Sequence, residues 1–217
     1  PYAKRAMAMD QVEVMAALGF RRFALVGHDR GARVACRLAL DHPGRVERLA
    51  ILDIVPTLTI FDAVNQTIAT DLWHWFFLIQ PRGFPEHLMG CDPEYALRRF
   101  LGSWGANPGA VTEAAFYEYL RCFRDHATLH AMCEDYRAAA TVDLEHDRTD
   151  RAAGRKVGCP TLTLWGRQGV MARHFDVLKT WRDLADPVTG RALDCGHYLP
   201  EERPEETAAA LEEFLEA

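Results

Sequence analysis

The chain has 217 residues, 49% hydrophobic and 26% charged, with a formal net charge of −6 at pH 7. This ordinary globular usage excludes a disordered, collagenous or coiled-coil protein and leaves room for one domain plus a sizeable insertion. The charges are mixed without a basic stripe, so no nucleic-acid partner is expected. No run reaches the ~18 apolar residues of a membrane span, so no membrane partner is expected either.

Residues 3–18 repeat apolar positions at three- and four-residue spacing and stop at Gly19, which predicts a helix. FALVG (23–27) is a short continuous apolar run, as a parallel strand buried on both faces requires. It leads into HDRG and a helical segment ARVACRLALDHP closed by Pro43; RLAILDIV (48–55) then reads as a second strand. Strand, turn, helix, strand is the arithmetic of a parallel α/β sheet.

From Thr57 to about Ala140 no strand-like run occurs and the aromatics fall at helical spacing, which predicts four or five inserted helices. The polar stretch 145–156 reads as the return path to the core. CPTLTLWG (159–166) predicts a third strand, followed by a helix around 171–185, a short strand near 189–194 and an amphipathic helix from Pro204. The expected organisation is an α/β core made of residues 1–56 and 141–217, with 57–140 as a helical cap.

Cys36, Cys91, Cys122, Cys133, Cys159 and Cys195 are scattered without CxxC pairs, which predicts free thiols of a reducing compartment, the cytoplasm. The histidines outside the turn described next show no metal-ligand spacing, and neither metal nor cofactor is expected.

The sharpest feature is Gly27-His28-Asp29-Arg30-Gly31, set between a strand and a helix. Such a Gly-x-nucleophile-x-Gly bend lifts its central side chain out of the sheet end. Here the centre is Asp, and the chain's one serine, Ser103, lies in the insertion. An Asp that merely caps the helix is the plain alternative. Arg30 and Arg33 share one face of the first helical turn, the end of the dipole that disfavours cations. A bound anion resolves that conflict: two guanidiniums at a helix N-terminus make a carboxylate receptor. The alternative is that both arginines pair with protein carboxylates. His197, after the last strand, suits a base reaching over the sheet end. The acid that orients it has two homes in such folds, and the later one is occupied by Gly169, which leaves Asp53.

With Asp29, Asp53 and His197 in that order, the sequence resembles the α/β-hydrolases and, more narrowly, the haloacetate (fluoroacetate) dehalogenases. The matching stretches are VGHDRGAR, LALDHP, LDIVPT, WHWFFLIQP, FPEHLMG, DYRAAATVDLEHD and CPTLTLWG. The resemblance implies hydrolytic dehalogenation of short 2-haloacids, with Asp29 as nucleophile, His197 oriented by Asp53 as base, and Arg30 and Arg33 on the substrate carboxylate. It also implies that His74, Trp75 and Tyr136 donate to the leaving halide, and that the protein forms a homodimer. Without it, WHWFF reads equally as the apolar face of a lid helix and Tyr136 as a packing residue.

An epoxide hydrolase is the neighbouring alternative. It would need two lid tyrosines from Tyr95, Tyr117, Tyr119 and Tyr136, and has no use for paired arginines. A non-catalytic binding module is the third reading. Against the family's eight strands the chain supplies the last four or so, and it opens at Pro1 without an initiator Met. The expectation is therefore an N-terminally truncated fragment. It would lack the HGxP-type oxyanion loop, expose FALVG as an apolar edge, fold poorly and turn over little.

Overall fold

The computed structural model describes residues 1–217. Helix α1 (Lys4–Ala17) leads into β1 (Phe23–His28), α2 (Arg30–Asp41) and β2 (Val46–Leu52). The helices α3 (Thr57–Ala63), α4 (Gln66–Asp71), α5 (Trp73–Leu78), α6 (Phe84–Cys91), α7 (Pro93–Trp104), α8 (Glu113–Phe123), α9 (His126–Ala139) and α10 (Val142–Ala152) follow. The chain then returns through β3 (Thr161–Gly166), α11 (Val170–His174), α12 (Val177–Arg182), β4 (Val188–Leu193), α13 (Leu199–Glu202) and α14 (Pro204–Glu216).

The four strands form one parallel sheet in the order β1-β2-β3-β4. Both faces of β2 are covered: Leu49 and Ile51 join the larger core with α1 and α2, while Ala50 and Leu52 pack with Leu199 and Ala210 on the other side. That two-sided burial is why the strand reads as an unbroken apolar run. The register places His28 beside Leu52 and Leu52 beside Leu164, so the chain leaves β1 and β2 at one level. Loops at the carboxyl ends of parallel strands are where such sheets build their sites. On its other side β1 has no strand partner, and Val26 there is 46% exposed, the apolar edge that the sequence led us to expect.

The helical segment differs from expectation in number. Seven helices, α3 to α9, occupy 57–140, because capping side chains restart the helix repeatedly: Asn65 accepts from the Ile68 N–H, Asp92 from Tyr95, Thr112 from Ala115 and Asp125 from Ala127. The expected return path is mostly helix α10, whose polar face is not solvent-facing throughout. Its Asp147 and the buried Asp150 hold Arg37 of α2. The helix expected over 171–185 is two, since Asp176 caps a fresh start at α12. All six cysteines are free thiols. No helix is long and apolar enough to cross a membrane.

Candidate active site

Asp29 sits between β1 and α2 with φ 47° and ψ −116°, a left-handed conformation costly for a non-glycine residue. It occupies the N-cap position of α2 but makes no side-chain cap hydrogen bond, so helix capping does not explain it. Gly27 makes the bend feasible: a Cβ there would lie 2.5 Å from the Ala32 Cα. At Gly31, by contrast, a Cβ would meet nothing within 4 Å. Of the two glycines flanking the bend, Gly27 alone is sterically required.

Asp53 follows β2 with φ 49° and is 1% exposed. One of its oxygens accepts the Gly166 N–H at 2.9 Å and the other accepts from His197 Nδ1 at 2.7 Å. That bond turns His197 Nε2 toward Asp29, 3.7 Å from Oδ2. Burial alone would push the Asp29 carboxyl up, but His197 and the guanidiniums of Arg30 and Arg33 hold it well below the carboxylate range. Burial would likewise lower His197, yet the two flanking carboxylates raise it to about 10. His28, beside Asp29, donates through Nε2 to the His197 carbonyl at 2.8 Å and packs against its ring at 4.6 Å.

The two arginines behave differently. Arg30 donates to the Asp135 carboxylate and, at 3.1 Å, to its carbonyl, so for this residue pairing with a protein carboxylate is observed. Its Nη1 is buried without a partner. Arg33 is 6% exposed, donates to Val55 O and Thr57 Oγ1, and forms no ion pair. Burial, with the neighbouring Arg30 charge, lowers it to about 10, so at neutral pH it remains a buried cation without an ion-pair partner.

His74 and Trp75 on α5 line a small cavity of about 30 Å³ together with Asp29, Arg33 and His197. Burial lowers His74 to about 3, so its ring is neutral, and its Nδ1 has no partner. Tyr136 of α9 stands edge-on to both rings, 5.8 Å from His74 and 5.9 Å from Trp75, but lines a larger cavity of about 440 Å³ that also reaches Asp29. Within WHWFF, Trp73 stacks on Phe100 at 5.3 Å, whereas His74 lines the small cavity.

Trp104, which lines both cavities, and Asp135 went unnoticed in the sequence, although Asp135 adjoins Tyr136 in the DYR stretch. Ser103 is bonded to its own helix at Arg99. Of the four tyrosines available to an epoxide hydrolase, Tyr95, Tyr117 and Tyr119 are exposed, and Tyr119 and Tyr136 line the larger cavity. No group of three or more His, Cys, Asp or Glu side chains is arranged to hold a metal ion.

A family model for the alpha/beta hydrolase fold matches residues 1–204. A fluoroacetate dehalogenase of Burkholderia sp is 43% identical over 215 residues, covering 99% of this chain and 70% of the relative. A soluble epoxide hydrolase of Corynebacterium sp. (strain C12) is 32% identical over 212 residues, covering 94% of this chain and 70% of that protein. Among solved structures, a Nostoc sp PCC 7120 protein assigned to the alpha/beta hydrolases superposes with a TM-score of 0.96 at 56% identity, covering 99% of this chain and 73% of that one.

Proposed function

The chain belongs to the alpha/beta hydrolases, and we propose that within that family it is a hydrolytic dehalogenase of short 2-haloacids such as fluoroacetate or chloroacetate. The observation that carries this reading is the placement of Arg33, a buried guanidinium with no ion-pair partner, in the same small cavity as Asp29 and His197. A neutral epoxide has no use for that cation, whereas a carboxylate relieves it. The dehalogenase at 43% identity adds support.

In the proposed reaction residues 57–140 form the cap over the site. Arg33 and the free Nη1 of Arg30 hold the substrate carboxylate. Asp29 attacks the carbon bearing the halogen; a C–O bond forms as the carbon–halogen bond breaks and its electron pair leaves with the halide. Donors matter most where charge develops, and His74, Trp75 and Tyr136 are the groups available to the departing ion. The result is an ester on Asp29. His197, oriented by Asp53, then takes a proton from water. The hydroxide adds to the ester carbonyl, and the 2-hydroxyacid departs, regenerating the carboxylate.

Halide release from fluoroacetate and chloroacetate, measured beside diol formation from styrene oxide, tests this. Halide without diol is expected. Diol formation without halide would overturn the reading in favour of an epoxide hydrolase.

A further inference from the structure

Glu202 closes α13, four residues beyond Tyr198, and is 5% exposed. It forms no ion pair. A buried carboxylate without a cation is costly unless hydrogen bonds replace its water. Here four backbone N–H groups do so. One oxygen accepts from Gly196 at 3.0 Å, Ala106 at 2.9 Å and Asn107 at 3.1 Å; the other accepts from Tyr198 at 3.0 Å.

Gly196 and Tyr198 flank His197 in the chain, while Ala106 and Asn107 belong to the loop after α7. The end of α7, from which this loop departs, grips His197 directly, since the His197 N–H donates to Trp104 O at 2.9 Å. The His197 carbonyl accepts from His28. Every polar group of the 196–198 backbone named here is therefore fixed by a side chain or by the 104–107 segment, and none by a strand or helix ladder. The fit leaves no slack: a Cβ on Gly196 would lie 2.4 Å from the Ala106 N.

We infer that Glu202 is a positioning residue for His197: by bracketing the histidine with two N–H bonds and the 104–107 loop with two more, it makes the place of the imidazole depend on the seating of the helical segment. The kinetic consequence rests on the dehalogenase reading. Asp29 attacks carbon without a proton transfer to or from His197, whereas ester hydrolysis needs the imidazole within reach of water. Loosening Glu202 therefore separates the two half-reactions. A displacement of about 1 Å in a reacting group costs on the order of 100-fold in rate.

The test is Glu202→Gln, whose amide keeps the size but presents N–H to at least one of the donors that the carboxylate now accepts, with Glu202→Asp, one methylene too short to span both loops, as the second variant. Single-turnover halide release and ester accumulation, the latter by intact-protein mass spectrometry, are followed with chloroacetate. The proton spectrum of the free protein supplies a readout without substrate, the downfield Nδ1 proton that His197 shares with Asp53. The expected result is first-turnover halide release within about twofold of the parent, steady-state turnover down about 10- to 100-fold, ester accumulating on Asp29, and the downfield signal broadened or lost. An unchanged downfield signal, or halide release and hydrolysis falling together without ester, would overturn the assignment. If the parent releases no halide, the dehalogenase reading fails instead, and the His197 proton signal alone decides the role of Glu202.

Discussion

A Cβ added to Gly169 would stand 3.5 Å from both carboxylate oxygens of Asp53. The two positions follow adjacent strands yet address one point in space, the Nδ1 side of His197. An acid at either position can serve the same histidine, which is the physical basis for choosing Asp53 once position 169 is seen to be glycine. Asp53→Asn is expected to lower turnover by about 10³–10⁴-fold, since the imidazole loses the partner that sets its tautomer. Adding Gly169→Asp to that variant is expected to restore a measurable part of it. Steady-state halide release from the parent, the single variant and the double variant checks both.

Arg33 gives a prediction in which stability and binding part company. Replacing this cation with Met removes two hydrogen bonds but also a buried charge that has no ion-pair partner. Arg33→Met is expected to leave the melting temperature unchanged or raise it. KM for chloroacetate should rise about 100-fold, the loss of a charge-assisted contact of roughly 3 kcal/mol. Calorimetric melting and initial-rate kinetics give the two numbers.

The elbow glycines should respond in opposite directions. Gly27→Ala drives a methyl into backbone at Ala32 and is expected to cost about 1–3 kcal/mol or to abolish folding. Gly31→Ala, in the first turn of α2 with open space around it, is expected to gain up to about 1 kcal/mol from helix propensity. Urea unfolding of the two variants distinguishes a demand on one glycine from a demand on both.

The ion pair of Asp29 with His197 has a defined pH window. His197 is raised from its ordinary 6.5 to about 10, so its share of stability is complete below about 6.5 and disappears as pH climbs toward 10. Asp29 is lowered from 3.8, so its share is complete above about 4 and disappears as pH falls. The stability difference between the parent and Asp29→Asn is therefore expected to be largest between pH 4 and 6.5 and to shrink toward pH 10. Urea titrations at stepped pH measure it.

Oxygen labelling follows the proposed route of water. Attack at the Asp29 ester carbonyl puts the water oxygen into the protein and sends the original carboxylate oxygen out with the product. In a single turnover in ¹⁸O-water the 2-hydroxyacid is expected to be unlabelled and the peptide bearing Asp29 to gain the label. A labelled product would mean that water attacks the substrate carbon directly.

The sheet and its elbow were legible because their causes are local. The doubly buried β2 leaves a continuous apolar run, and Gly27 and Asp29, two residues apart, mark the bend. The helical segment was less legible because its breaks depend on single caps such as Asn65 and Asp125, which resemble any other polar residue. Helix α10 reads as a polar return path because the partner that draws Asp150 inward, Arg37, lies 113 residues away. Asp135 and Glu202 escaped notice for the same reason: the groups that give each its work, Arg30 for one and Ala106 for the other, are distant in the chain.

His197 lies between two anions, Asp53 at 2.7 Å and Asp29 at 3.7 Å, and keeps its proton because both are charged. Esterification of Asp29 would erase one of them. The hold on the imidazolium proton would then weaken, and the ring would be better able to deprotonate water after the halogen had gone than before. Under this scheme the order of events is written into the charge balance of three side chains, and no separate clock is required.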